Sequence, residues 1–176
     1  MTNLQTGLER LNLLPAREAE NELLKCCGSK EWARLVISER PFKSVDDLIG
    51  SADRVWWSLE PGNWLEAFHS HPKIGETKAA SAVAVDEQRW SEDEQSGTRN
   101  SARQTMDALA ELNRVYEEKF GYIFIVCASG KSSEELLAML RARLENPAGE
   151  ELQIAAAEQA KITRLRLGKL LEVSQG

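Results

Sequence analysis

At 176 residues and 42% hydrophobic content, the chain is long enough to bury a sizeable core and reads as a single domain over residues 1–176. Its formal net charge of −6 argues against the basic face that nucleic-acid binding needs. The longest apolar run, residues 123–128, is far short of the ~20 residues of a membrane span. Neither a basic nor an apolar leader follows Met1, and the three cysteines, two of them adjacent at Cys26 and Cys27, fit no disulfide framework and no metal-ligand spacing. They read as small buried residues of a reducing compartment, so a cytoplasmic protein without membrane or nucleic-acid partners is expected.

Helix signals run from end to end, and the expected fold class is all-α: a compact single-domain multi-helix bundle with a long central helix and a long C-terminal helix. Pro15 ahead of residues 16–25, with Gly28 behind them, has the proline-first, glycine-last order of a helix. Ser29 is placed to cap a short helix through Trp32, Leu35 and Val36 that stops before Pro41. Ser44 with Asp47 resembles a capping box, opening a helix that carries Leu48, Ile49, Val55 and Trp56. Pro61 and Gly62 start a brief helix with Trp64, Leu65 and Phe68, and this helix delivers the only two histidines, His69 and His71. The small-residue passage 79–84 reads as loop or weak helix. Ser91 and Glu94 form a full capping box for a long helix expected to reach Phe120, with Gly121 as its stop. Residues 122–128 have strand-like composition, but an isolated strand has no partner in such a chain, so a buried extended connector is expected. Ser132 or Ser133 caps the next helix, carrying Leu136, Leu137, Leu140 and Leu144 and ending at Asn146 and Pro147. A last helix runs from about Gly149 to Val173. The tryptophans at 32, 56, 57, 64 and 90 are expected in the core.

Histidine has an unperturbed pKa near neutrality, which makes the segment from Phe68 to Glu76 the first place to look for proton transfer. Pro72 holds His71 away from helical geometry, so that His71 is presented from a stiffened corner. On the long helix the apolar stripe Ala102, Met106, Leu109, Leu112 and Tyr116, wound back at roughly 100° per residue, places Ser91, Glu94 and Gln95 inward. On the last helix Leu152, Ala155, Ile162, Leu170 and Val173 form the stripe, with Gln159 and Arg166 in its middle. A buried carboxylate or guanidinium is costly unless it is paired or in use. Glu94 and Arg166 are therefore either a structural ion pair or working groups, and Glu94 also fits the capping box with Ser91. His69 and His71 lack further ligands for a metal site, so no metal is expected, and His69 suits the C-terminal end of its helix. A phosphate loop fails for want of its upstream glycine before Ser129-Gly130-Lys131-Ser132. Nucleophile chemistry fails because Cys127 lies in an apolar run without a base.

His71-Pro72-Lys73-Ile74-Gly75, Ser91-Glu92-Asp93-Glu94-Gln95, the run from Phe120 to Ala128, and Leu165-Arg166-Leu167 resemble, in that order, the hallmarks of the OHCU decarboxylase family. Cys26-Cys27-Gly28-Ser29 with Trp32, and Arg40-Pro41-Phe42, extend the resemblance over nearly the whole chain. Members convert 2-oxo-4-hydroxy-4-carboxy-5-ureidoimidazoline (OHCU) to (S)-allantoin at the end of urate breakdown. The resemblance implies an all-α carboxy-lyase, typically a homodimer, that uses no cofactor. It also implies His71 as catalytic acid/base, with Glu94 and Arg166 beside it in the chemistry. Pro72, Ser91, Glu94, Gln95 and Arg166 would line the substrate site. Phe124, Ile125, Val126, Cys127 and Ala128 would complete the lining. A helical interaction module, whose inward polar residues are structural, is the rival from another class; it has no small-molecule pocket. A hydrolase of the preceding 5-hydroxyisourate is the rival enzyme, and the scarcity of histidines speaks against it.

Overall fold

The computed structural model describes residues 2–71 and 95–172, apart from the side chains of residues 95–100. Among these residues there are eight helices and no strand: α1 (Asn3–Leu13), α2 (Ala16–Leu24), α3 (Lys30–Ser38), α4 (Val45–Ser58), α5 (Pro61–His69), α6 (Gln95–Phe120), α7 (Ser133–Leu144) and α8 (Ala148–Glu172). None of these helices is long and apolar enough to cross a membrane. Two compact units divide the chain, Met1–Ser70 with Ala156–Gly176, and His71–Ala155.

The first unit is built by local signals that the sequence displays openly. Ser29 and Ser44 cap α3 and α4 as expected, each accepting a hydrogen bond from the amide three residues on. Asp47 does not complete its box on Ser44; its carboxylate accepts instead from the Lys43 amide at 2.9 Å, one residue upstream. Pro61 opens α5, where its missing N–H costs nothing. α1 precedes the first helix singled out in the sequence. Thr2 caps it, and Leu8 and Leu11 on it are fully buried. It lies so close to α8 that a Cβ on Gly7 would fall 2.1 Å from the Leu171 carbonyl oxygen, so only glycine fits there. Arg40 closes the far end of α1, donating through Nη1 to the Leu11 and Leu14 carbonyls at 3.0 and 2.7 Å.

α3 packs on α2, α4 and α5, and three tryptophans fix the middle of this unit. Trp32 donates to the Ala52 carbonyl (3.0 Å), Trp56 to Ala156 (2.9 Å) and Trp64 to Trp56 (3.0 Å), so each indole is buried without an orphaned N–H. Burying an apolar side chain of this size is worth ~1.5–3 kcal/mol. Trp57 departs from expectation. One residue beyond Trp56, it is turned about 100° away and is 42% exposed, with its ring edge-on to Trp64. Trp90 lies outside the described residues.

In the second unit α6 packs against α7. Gly121, at φ 84°, ends α6 in the left-handed region that glycine enters without penalty. Ser132 is the cap of α7, with the reciprocal box complete: its hydroxyl accepts from the Glu135 amide at 3.1 Å and its amide donates to the Glu135 carboxylate at 2.9 Å. Between α6 and α7, residues 123–128 are neither helix nor strand, as expected of a connector, and Tyr122, Ile123, Phe124, Ile125 and Cys127 are buried.

The helical wheels need correction. On α6 the fully inward positions are Leu109, Asn113 and Tyr116, while Ala102, Met106 and Leu112 are half-buried. On α7 the stripe ends in Arg143, not Leu144, because Arg143 stands two turns beyond Leu136. On α8 the buried line runs through Glu151, Ala155, Gln159, Thr163, Leu167 and Leu171, with Leu152, Ile162 and Leu170 only half-buried. Gln159 is fully buried as expected, whereas Arg166 is half-buried at the margin of that line. A wheel weighted by hydrophobicity cannot anticipate polar residues that turn inward because a distant partner receives them.

Candidate active site

The histidines stand where the wheel of α5 gives out. His69 is exposed in the last turn of that helix, where a cation suits the dipole. His71 follows, half-buried. The residue between them is fastened twice to the helix end: the Ser70 amide and hydroxyl both donate to the Ala67 carbonyl, at 3.2 and 2.6 Å. Ser70 also lies against the turn that follows α2. A Cβ built on Gly28 would meet Ser70 Oγ at 2.2 Å and its Cβ at 2.4 Å. Bare backbone at Gly28 is thus what lets Ser70, and the chain leading to His71, occupy this position.

The turn holding Gly28 carries the paired thiols. Cys26 and Cys27 are free and buried. Burial pushes Cys26 up to about 12 and Cys27 up to about 11, against the opposing pull of the Arg166 guanidinium within electrostatic reach of both. These thiols are therefore neutral near pH 7 and inert as nucleophiles. Arg166 itself, on α8, makes no ion pair with another described residue, so its charge is not consumed by a structural partner among them.

In the second unit the connector is the segment expected to line the substrate site. A buried segment that is neither helix nor strand must satisfy its polar backbone with side chains. Asn113 Oδ1 accepts from the Phe124 amide at 2.9 Å. Arg143 Nη1 donates to the Ile125 carbonyl at 2.6 Å, and Lys131 Nζ to the Cys127 carbonyl at 3.0 Å. Among the described residues nothing accepts from the amides of Ile125, Val126 and Ala128. Backbone with donors left over in this way can take an anion or a carbonyl oxygen.

Behind the connector sits a buried charged cluster. Glu151 in the first turn of α8 is fully buried and Arg143 nearly so. Arg143 grips one carboxylate oxygen through Nε (2.6 Å) and Nη2 (2.5 Å), Tyr116 donates to the same oxygen at 2.5 Å, and Asn146 donates to the other at 3.0 Å. The Arg143 guanidinium also lies 4.5 Å from the centre of the Phe124 ring. Burial, and then the bond to Glu151, push the Tyr116 hydroxyl above its ordinary range, so it stays a donor.

Of the residues singled out in the sequence, the structure places Phe124, Ile125, Val126, Cys127 and Ala128 in one element of the second unit, which His71 begins. Arg166 belongs to the first unit. Pro72, Ser91 and Glu94 lie outside the described residues, as does the side chain of Gln95, the first residue of α6. Asn113, Lys131 and Arg143 were not singled out. For Asn113 and Arg143 the available signal was their place on otherwise apolar stripes, Asn113 between Leu109 and Tyr116 and Arg143 beyond Leu136 and Leu140; Lys131, in the turn before α7, carried no such signal.

Comparison with known proteins places this arrangement. The family model for OHCU decarboxylase matches residues 12–168. The uric acid degradation bifunctional protein TTL of Arabidopsis thaliana is 39% identical over 152 residues, 86% of this chain and 47% of that protein. The 2-oxo-4-hydroxy-4-carboxy-5-ureidoimidazoline decarboxylase of Xenopus laevis is 30% identical over 74% of each chain. A crystal structure of OHCU decarboxylase in the presence of (S)-allantoin superposes with a TM-score of 0.70 at 38% identity, covering 86% of this chain and 97% of that one. The chain spans about half the length of the Arabidopsis relative and 32% of the bifunctional PucL of Bacillus subtilis. Matched along most of its length in both sequence and fold, the chain belongs to the OHCU decarboxylase family.

Proposed function

We propose that this chain decarboxylates OHCU to (S)-allantoin in urate degradation, without a cofactor and with His71 as general acid/base. The observation that carries the reading is the family match over residues 12–168, which runs through His71, the 124–128 connector and Arg166 and supports treating residues 1–176 as one decarboxylase domain. Loss of CO2 sends the electron pair of the breaking carbon–carbon bond into the ring carbon and its adjacent imine. Arg166 and the connector amides stabilise that charge, and they accelerate the step only in so far as they hold the developing anion better than the starting carboxylate. His71, oriented by Glu94 or by the substrate hydroxyl, then delivers one proton to one face of the carbon, which fixes the S configuration; one proton is taken up for each CO2 released. Ser91 and Gln95 hydrogen-bond the ureido and ring amide groups, and Pro72 shapes the turn beside His71. The protein acts as a homodimer, as its resemblance to the family implies. The free thiols Cys26, Cys27 and Cys127 support a reducing, cytoplasmic setting.

The test uses OHCU generated in place from urate by the two preceding activities, with decay and product circular dichroism followed together. The protein is expected to hasten decay to a single allantoin enantiomer. His71→Ala is expected to lose ~10²-fold or more in rate, the ordinary worth of general acid–base catalysis. Decay at the spontaneous rate with racemic product in the presence of the unaltered protein would overturn the assignment. Full activity in His71→Ala would remove His71 from the mechanism.

A further inference from the structure

The cluster behind the connector is poorly explained as a source of stability. A buried ion pair such as Arg143 with Glu151 repays its desolvation only when its geometry is excellent, and well-packed apolar residues in its place are often as stable or more so. What apolar residues cannot supply is the remaining arm of the guanidinium. Nε and Nη2 bind Glu151, while Nη1 is left to hold the Ile125 carbonyl at 2.6 Å. Tyr116 and Asn146 fix the carboxylate from the other sides, so the fork is rigid before it meets the connector. One residue earlier, Asn113 takes the Phe124 amide, and the two contacts fall on either side of one short stretch of backbone. Among the described residues nothing accepts from the amides of Ile125, Val126 and Ala128, which these side chains leave over.

We infer that Arg143 and Asn113 are positioning residues, which fix the rotation and depth of the 124–128 backbone so that its amides meet the charge that develops as CO2 leaves. Glu151 orients Arg143 and does not itself reach the substrate. The inference rests on the function proposed above and adds to it the residues that set its binding backbone. A misplacement of ~1 Å in such donors costs on the order of 10²-fold in rate. Because the donors are asked to bind the transition state, the loss falls on kcat more than on KM.

The experiment compares Arg143→Met/Glu151→Met, which removes the grip without leaving a lone buried charge, with Asn113→Ala and with Leu109→Ala. Leu109 is buried on the same face of α6, one turn before Asn113, and its side chain has no group that can bond the connector, so its variant reports loosening of that face without loss of a hydrogen bond. Folding is checked by circular dichroism and thermal melting, and kcat, KM and allantoin enantiomeric excess are measured on folded protein. A ~10–100-fold fall in kcat, with a smaller change in KM and partial loss of enantiomeric excess, is expected for the first two variants and not for Leu109→Ala. Wild-type kcat in folded Arg143→Met/Glu151→Met, or equal losses in Asn113→Ala and Leu109→Ala, overturns the inference while the proposed function stands. If the double variant does not fold, Asn113→Ala against Leu109→Ala decides. Absence of activity in the unaltered protein overturns the proposed function, and this inference with it.

Discussion

Replacing Gly28 by alanine should disable the chain at a distance from any group that touches substrate. The new Cβ would overlap Ser70, with 2.2 Å to its Oγ and 2.4 Å to its Cβ. Rotating the hydroxyl away relieves only the first contact. The second requires the Ser70 backbone to move, and Ser70 is tied twice to Ala67 at the end of α5. Overpacking of this kind costs ~1–3 kcal/mol, which in a chain of this length lowers Tm by about 2–12 °C. The displaced residue immediately precedes His71, so a shift of ~1 Å there would lower kcat/KM by on the order of 10²-fold. The assay is OHCU decay with product chirality, beside a thermal melt, on Gly28→Ala and on Gly28→Ala/Ser70→Gly. Removing the Ser70 side chain clears both short contacts, at the loss of one hydrogen bond worth ~0.5–1.5 kcal/mol. The double variant should therefore recover most of the lost rate. A single variant with wild-type kcat/KM and Tm, or a double variant no better than the single, would refute the reasoning.

Two further outcomes are expected. Because the folded pKa values of Cys26 and Cys27 lie above that of a free thiol, at about 12 and about 11, their contribution to stability is intact below pH 9. It falls as pH rises from there towards those values, since only the unfolded chain releases the thiol protons. Thermal melts from pH 8 to 11 should show this decline, flattened in Cys26→Ala/Cys27→Ala, and both thiols should resist a disulfide reagent until the chain unfolds. Gly121→Ala forces a side chain to φ 84° and should cost ~1–2 kcal/mol, read as a Tm lowered by about 2–8 °C.

What could be read in advance was whatever is written locally. Ser29, Ser44, Pro61, Ser132 and Gly121 mark helix ends through contacts spanning at most four residues, and each stands at its helix end in the structure. The connector at 122–128 was legible from its composition together with the absence of a strand to pair with. The inward faces of α7 and α8 were less so, because Arg143 and Glu151 turn inward towards each other across a helix boundary, and Gln159 turns inward to Thr163. A hydrophobic wheel placed Gln159 inward correctly but passed over Arg143 and Glu151, assigning the end of the α7 stripe to Leu144. The site divides in the same way. The histidine-bearing turn announced itself through Pro72 and the rarity of histidine, while Asn113 and Lys131 became visible only once the connector's backbone partners were known.

The connector has one more consequence. From Tyr122 to Cys127 it is an uncharged run of aromatic and β-branched residues without proline or glycine, the composition from which stacked cross-β assemblies are built. In the folded chain Asn113 of α6, Arg143 of α7 and Lys131 hold its Phe124 amide and its Ile125 and Cys127 carbonyls, and none of these side chains can propagate into a second strand. A second strand would have to displace those side chains before it could pair along the whole segment, although the amides of Ile125, Val126 and Ala128 have no partner among the described residues. The same residues that hold the segment in place thus interrupt it as a template for its own copies.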